Sequence, residues 1–345
     1  MLKIDLHTIK NHISTPVKIG SVFILICLLI SVVALFTNST VKDEKDKAFQ
    51  QEINQKYAVF ALPLPDKYDF AGEDVPMGNF DVREAFDREL LVNVYWQSQT
   101  LLFFKRANRY FSVIEPILKQ NDVPDDMKYL AVVESGLMNV TSPAGAKGVW
   151  QFIEVAAKQY KLEVSNEVDE RYHLEKSTQA ACRYFQDSYK IFKSWTLVAA
   201  SYNIGMGALQ KQTSAQNVSS FYDLHTNEET SRYIYRILAV KYIMENPRRA
   251  GFHFRKKDLY PHIPLNEVKV DTSISDLIAF AEKQGVNYKM LKYFNPWLRK
   301  TSLNVKSGNS YFIKIPASDF RTIRIEDGEF PADSAISAPS QKPVE

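Results

Sequence analysis

Apolar positions follow a different rhythm in four successive parts of the chain. Residues 19–36 are eighteen residues without a charged side chain, mostly Ile, Leu, Val and Phe, at the short end of what spans a bilayer. Residues 37–80 begin charged and polar and then collect Pro63, Pro65, Gly72, Pro76 and Gly78, which reads as linker. From Asp81 to about Met244 apolar side chains recur at helical spacing almost throughout. Phe86, Leu90 and Val94 lie in a helix that Asp81 can cap; Leu101, Phe104, Tyr110, Phe111, Ile114 and Leu118 mark a second; and Pro124 opens a third. Ser177–Phe192, Ser194–Tyr202 and Glu229–Glu245 read as further helices. Beyond Arg249, Val268–Val270 and Tyr311–Ile315 read as short strands around a helical middle, and the tail after Arg324 is rich in Pro, Ser and Ala. The expected architecture is mainly α. It has an all-helical domain over 81–250, a linker over 251–267, a small α+β module over 268–316 and a disordered tail over 317–345.

Charge gives the apolar run a direction. Lys3, Lys10 and Lys18 precede it, while Asp43, Glu44 and Asp46 follow. Residues 1–18 are therefore expected in the cytoplasm, 19–36 as a transmembrane anchor, and everything after Phe36 outside. A signal peptide cut near Thr37–Ser39 is the alternative, and it exports the same residues. The formal net charge of +3 gives no basic stripe and no support for a nucleic-acid partner. Of the two cysteines, Cys27 falls in the apolar run, so Cys182 is expected unpaired, as a small buried residue on a helix. Neither has the neighbours of a metal site, and no metal or cofactor is expected. The 18 Tyr and 21 Phe suit carbohydrate stacking and an ordinary core alike.

One carboxylate breaks the helical pattern. Met127, Leu130, Ala131 and Glu134 fall at i, i+3, i+4 and i+7, on one face of the helix that Pro124 opens. Three are apolar and the fourth is an acid. A glutamate on a buried stripe is partly withdrawn from water, which disfavours its charged form and suits it to general acid catalysis. A solvent-turned glutamate at a frayed helix end is the plainer reading of that residue alone.

Its surroundings add to the picture. Ser135-Gly136 ends the helix. Then come Ser142-Pro143-Ala144-Gly145-Ala146-Lys147-Gly148-Val149-Trp150-Gln151-Phe152, Ala199-Ala200-Ser201-Tyr202-Asn203-Ile204-Gly205 and Glu229-Thr230-Ser231-Arg232-Tyr233. In these four motifs, taken in order across residues 100–250, the chain resembles the lytic transglycosylase family of soluble and membrane-bound D-type enzymes, with their lysozyme-like helical fold. Trp150 stands in a slot that is usually smaller and apolar, and Ser201 where alanine is common. The resemblance implies that Glu134 is the catalytic acid/base and that Ser135 supports it or touches the sugar. It implies that Gly148 lets the backbone approach the glycan and that Gln151 offers an amide to it. Tyr202 and Asn203 would hold the glutamate or the acetamido groups, and Glu229 and Tyr233 would complete the groove wall. Trp150 would stack on sugar or pack the core.

The implied reaction is cleavage of the MurNAc–GlcNAc bond of peptidoglycan strands, with the C6 hydroxyl of MurNAc as nucleophile and a 1,6-anhydro end as product. Such a reaction needs one carboxylate, where ordinary glycosidases need two. Glu154, Glu163, Glu167, Asp169 and Glu170 are expected at the surface or in caps. Were one of them to face Glu134, goose-type lysozyme hydrolysis would follow instead. A non-catalytic peptidoglycan-binding scaffold in the bacterial envelope is the third reading. Residues 268–316, with Ser273-Ile274-Ser275-Asp276-Leu277 and Leu291-Lys292-Tyr293-Phe294-Asn295-Pro296, resemble a LysM-type sugar-binding module whose opening strand lacks the usual Tyr-x-Val and Gly-Asp.

Overall fold

Residues 59–317 are described continuously in the computed structural model, with isolated positions at 25, 26, 28, 29, 47, 48, 50, 51 and 321. The expected cytoplasmic segment 1–18, the span 19–36 and the tail 317–345 lie outside the described residues apart from those positions and residue 317. Among the described residues no helix is long and apolar enough to cross a membrane.

From Leu62 onward the chain packs as one unit. The expected linker is corrected at once. Tyr68–Phe70 (β1) pairs antiparallel with Glu73–Val75 (β2), Tyr68 opposite Val75. Ala71 (φ 54°) and Gly72 (φ 79°) make the turn, both in the left-handed region that a two-residue hairpin turn requires. Phe70, Val75 and Met77 are buried in the main core, so the prolines bracket a folded hairpin.

Six helices follow as the apolar spacing predicted, with ends shifted by a few residues, and Glu154–Gln159 and Met206–Gln216 join them without having been singled out. They are Phe80–Tyr95 (α1), Gln97–Gln120 (α2), Lys128–Ser135 (α3), Glu154–Gln159 (α4), Leu174–Phe192 (α5), Trp195–Ile204 (α6), Met206–Gln216 (α7) and Glu228–Glu245 (α8). Asn79 holds the N-cap position of α1, and Asp81 sits in its first turn. Pro124 precedes a 3-10 turn, Asp125–Met127, that leads into α3. Gly136, at φ 60°, ends α3 with its N–H on the Val132 carbonyl, a left-handed stop that suits glycine. Helix α8 is buried along most of its length and packs on α1, α3 and α6. Cys182 is buried and unpaired on α5.

The C-terminal module is a two-stranded antiparallel sheet, Leu265–Val270 (β3) with Tyr311–Pro316 (β4), and two short helices, Leu277–Lys283 (α9) and Tyr288–Phe294 (α10). Val168 and Tyr172 of the helical domain enter its core beside Leu277, Leu291, Trp297 and Ile313. Asp169 N–H donates to the Trp297 carbonyl (2.9 Å) and Arg299 N–H to that of Glu167 (2.7 Å), so the module is docked. Residues 251–264 also depart from the linker expectation. Phe252 and Leu259 are buried in the main core, Phe254 lies 4.7 Å from Phe104, and Lys105, Asn108 and Arg109 on α2 donate to the carbonyls of Asp258, Tyr260 and Pro261.

Candidate active site

Met127, Leu130 and Ala131 are fully buried, as their spacing requires, and Glu134 continues their face at the last turn of α3, half-buried. Burial pushes its carboxyl up to about 7 from 4.5. Two contacts resist that rise. The Tyr233 hydroxyl donates to Oε1 at 2.6 Å, and the Arg236 guanidinium favours the carboxylate. Glu229, exposed in the first turn of α8, pushes it up again. Near pH 7 such a carboxyl is populated in both forms, which a group that gives and then takes a proton requires.

Helix α8 thus presents Glu229, Tyr233 and Arg236 at i, i+4 and i+7 toward Glu134. Arg236 is a member that the motif reading missed, although the helical spacing from Glu229 and Tyr233 points to it. Glu89 was missed too, and no local signal marks it. Fully buried on α1, it sits 2.7 Å from Arg232 Nε and 3.6 Å from Arg236 Nε, fixing the arginines of α8.

Tyr202 and Asn203 come from the end of α6. The Tyr202 hydroxyl donates to the Trp150 carbonyl (2.7 Å); burial first and Glu134 second raise its pKa. Asn203 Oδ1 accepts from Thr230 Oγ1 at 2.9 Å, tying α6 to α8. The start of α6 is held from a distance. The Glu73 carboxylate on β2 accepts from Ser194 Oγ (2.9 Å), from the backbone N–H groups of Trp195 and Thr196 and from Thr196 Oγ1 (2.7 Å), an anion at a helix N-terminus.

The loop between α3 and α4 supplies the remaining predicted residues. Ser135 is buried, its hydroxyl 2.8 Å from the Val149 carbonyl and 3.1 Å from that of Ala131, so it ties α3 to the loop. Gly148 (φ 83°) corrects an expectation. A Cβ there would lie 1.8 Å from the Arg171 carbonyl, so the close approach that demands glycine is to Arg171. Trp150 is fully buried and donates Nε1–H to Thr178 Oγ1 at 2.8 Å; of its two readings, packing is the one observed. Gln151, at φ 52°, spends its Nε2 on the carbonyls of Gly148 (2.7 Å) and Val140 (3.1 Å).

The other acids weighed as a second carboxylate have partners elsewhere. Glu154 pairs with Lys158, Glu163 accepts from Tyr311 Oη (2.9 Å), and Glu167 accepts from Asn304. Asp169 holds Arg171 through two 2.8 Å bonds, and Glu170 pairs with Lys176. The carboxylate whose charge reaches Glu134 is Glu229. Among the described residues no cluster of His, Cys, Asp and Glu could hold a metal ion.

Comparison with known proteins accords with this geometry. Residues 111–224 match the profile of the Transglycosylase SLT domain, and residues 266–319 that of the Soluble lytic transglycosylase C-terminal LysM-like domain. Membrane-bound lytic murein transglycosylase D of Escherichia coli strain K12 is 27% identical over 293 residues, and its counterpart in strain O6:H1 aligns to the same extent. The alignment covers 82% of this chain and 63% of those proteins. The chain carries a transglycosylase SLT domain followed by a lytic transglycosylase LysM-like domain.

Proposed function

We propose that the chain is a peptidoglycan lytic transglycosylase with Glu134 as its single general acid/base. The observation that carries this reading is the carboxyl of Glu134, held near a pKa of 7 by burial and bonded to Tyr233. Protonated Glu134 donates to the oxygen joining MurNAc to GlcNAc, and that bond breaks through an oxocarbenium-like state. The carboxylate then removes the C6 hydroxyl proton of the same MurNAc. That oxygen closes on C1, leaving a 1,6-anhydro end, and Glu134 is reprotonated for the next turnover. Tyr233 and Arg236 stabilise the carboxylate between the two transfers, and Glu229 keeps the acid from ionising too early. Asn203, Glu229 and the free carbonyl of the Gln151 amide line the sugar path. Ser135, Gly148 and Trp150 hold the loop that shapes it.

The substrate places the enzyme in the bacterial envelope. The apolar run 19–36 is proposed as the inner-membrane anchor, with the catalytic unit in the periplasm. Both relatives are called membrane-bound, which supports that placement.

The pKa of Glu134 fixes a pH profile. A general acid must be protonated, so kcat/KM falls as pH rises through about 7. Tyr233→Phe removes a hydrogen bond that favours the carboxylate. The falling limb then moves to higher pH, and the maximal rate drops about tenfold. Initial rates on purified sacculi across pH 5–9 read both; an unmoved limb excludes Tyr233 as the group that tunes Glu134.

A further inference from the structure

We propose that the cleft between the helical domain and the C-terminal module is a second ligand site, one that takes a short peptide bearing free carboxylates. The cleft encloses about 700 Å³, the size of a small-ligand pocket, and lies at a domain boundary where such pockets concentrate. It is lined by residues distinct from those that face Glu134.

Its wall chemistry selects the ligand class. Arg106, Arg109, Lys292 and Lys314 line it; Lys314 is paired with its single carboxylate, Glu175, and Lys292 donates to the carbonyls of Leu298 and Lys300, so Arg106 and Arg109 are the cations that face an occupant. Tyr110, Tyr172, Tyr260 and Tyr293 add hydroxyls as well as rings, and Asn139 is its one amide side chain. A cationic wall of this aromatic and apolar character suits an anion with an apolar body. Arg109 donates to the Pro261 carbonyl (3.0 Å) and to Tyr293 Oη (2.9 Å), which leaves part of its five-donor guanidinium for an anion.

A second observation points to a missing acceptor. Trp297 is 2% exposed, yet its Nε1–H has no acceptor among the described residues. A buried donor left unpaired is costly, and most in folded proteins find a partner. The ring cannot turn to seek one, because it is stacked on Tyr311 (5.6 Å) and rests against His173 (5.7 Å). A ligand carboxylate in the cleft supplies the acceptor. Leu137, Met138 and Asn139, just past α3, also line the cleft, and Arg106 donates to the Gly136 carbonyl at 3.0 Å. An occupant therefore touches the segment that follows Glu134.

The peptide class rests on the peptidoglycan reading, since those glycan strands carry short peptides with free carboxylates. The test is calorimetric titration of the full chain as Glu134→Gln, which leaves added sugar intact. Three probes are used: stem peptide freed from its sugar by an amidase, the same peptide with its carboxylates amidated, and glycan stripped of peptide. The free peptide is expected to bind, the amidated one at least about tenfold more weakly, and Trp297→Phe to weaken the free peptide about tenfold. The amidated probe needs no altered cleft, so a variant that fails to fold does not blunt the test. Equal binding of the two peptides, no binding, or Trp297-dependent binding of bare glycan overturns the proposal. Cleavage of sacculi by the unmodified chain is measured alongside. Cleavage without peptide binding sinks the cleft alone, and peptide binding without cleavage sinks the activity alone.

Discussion

Glu134→Gln is expected to lower muropeptide release from sacculi by on the order of 10³-fold or more, because one group both donates and accepts the proton. The amide keeps the shape of the carboxyl but can do neither. The same change is expected to stabilise the fold in alkaline solution. The folded pKa of Glu134, about 7, lies above the ordinary 4.5 of a glutamate, so the folded state holds this proton more tightly than the unfolded one. The associated stability is complete below about pH 4.5 and is lost as pH rises through 7. At pH 8 the unmodified chain carries a half-buried carboxylate that the glutamine variant lacks. The difference is roughly 2 kcal/mol after allowance for partial solvent access. Denaturant unfolding at pH 5 and pH 8 reads it as a gap that opens only at the higher pH. An inactive variant without that gap would mean that Glu134 is not desolvated.

Gly148→Ala carries the next largest expected effect, on the fold first and on activity through it. The new methyl would meet the Arg171 carbonyl at 1.8 Å, and the backbone there is left-handed at φ 83°. Backbone atoms cannot step aside as a flexible side chain can. Left-handed strain plus overpacking is expected to cost roughly 3–5 kcal/mol. Arg171 is also buried, bonded twice to Asp169, which the module contacts through Trp297. Displacing its carbonyl therefore disturbs the domain joint as well as the loop that carries Gln151. Thermal unfolding of the alanine variant should show a large fall in Tm; an unchanged Tm would contradict the packing described.

Local patterns carried the helices and the burial of Glu134. The Met127, Leu130, Ala131, Glu134 spacing is a property of one helix, so its buried face could be read from the sequence. Tyr202 on α6 and Glu229 and Tyr233 on α8 likewise lie within electrostatic reach of Glu134. What the sequence hid were pairings over long distances. The hairpin of 68–75 looked like linker because Pro63, Pro65, Pro76 and Gly78 bracket two strands of only three residues each, and Ala71-Gly72 is a weak turn signal. Yet Glu73 reaches across more than a hundred positions to cap α6, the helix that bears Tyr202 and Asn203. Glu89 is equally remote from the arginines it orders. Gly148 was read as making room for substrate, since a motif names a residue but not the atom it must avoid. Residues 251–264 looked like spacer because their anchorage runs through backbone carbonyls, which every residue has.

In the proposed reaction of Glu134 the sugar's own C6 hydroxyl replaces water. Mass spectrometry of muropeptides released from sacculi by the purified chain tests it most directly. The expected products carry 1,6-anhydroMurNAc ends, each one water lighter than the hydrolytic product. Reducing MurNAc ends would instead make the enzyme a hydrolase, and intact sacculi with bound protein would make it a scaffold.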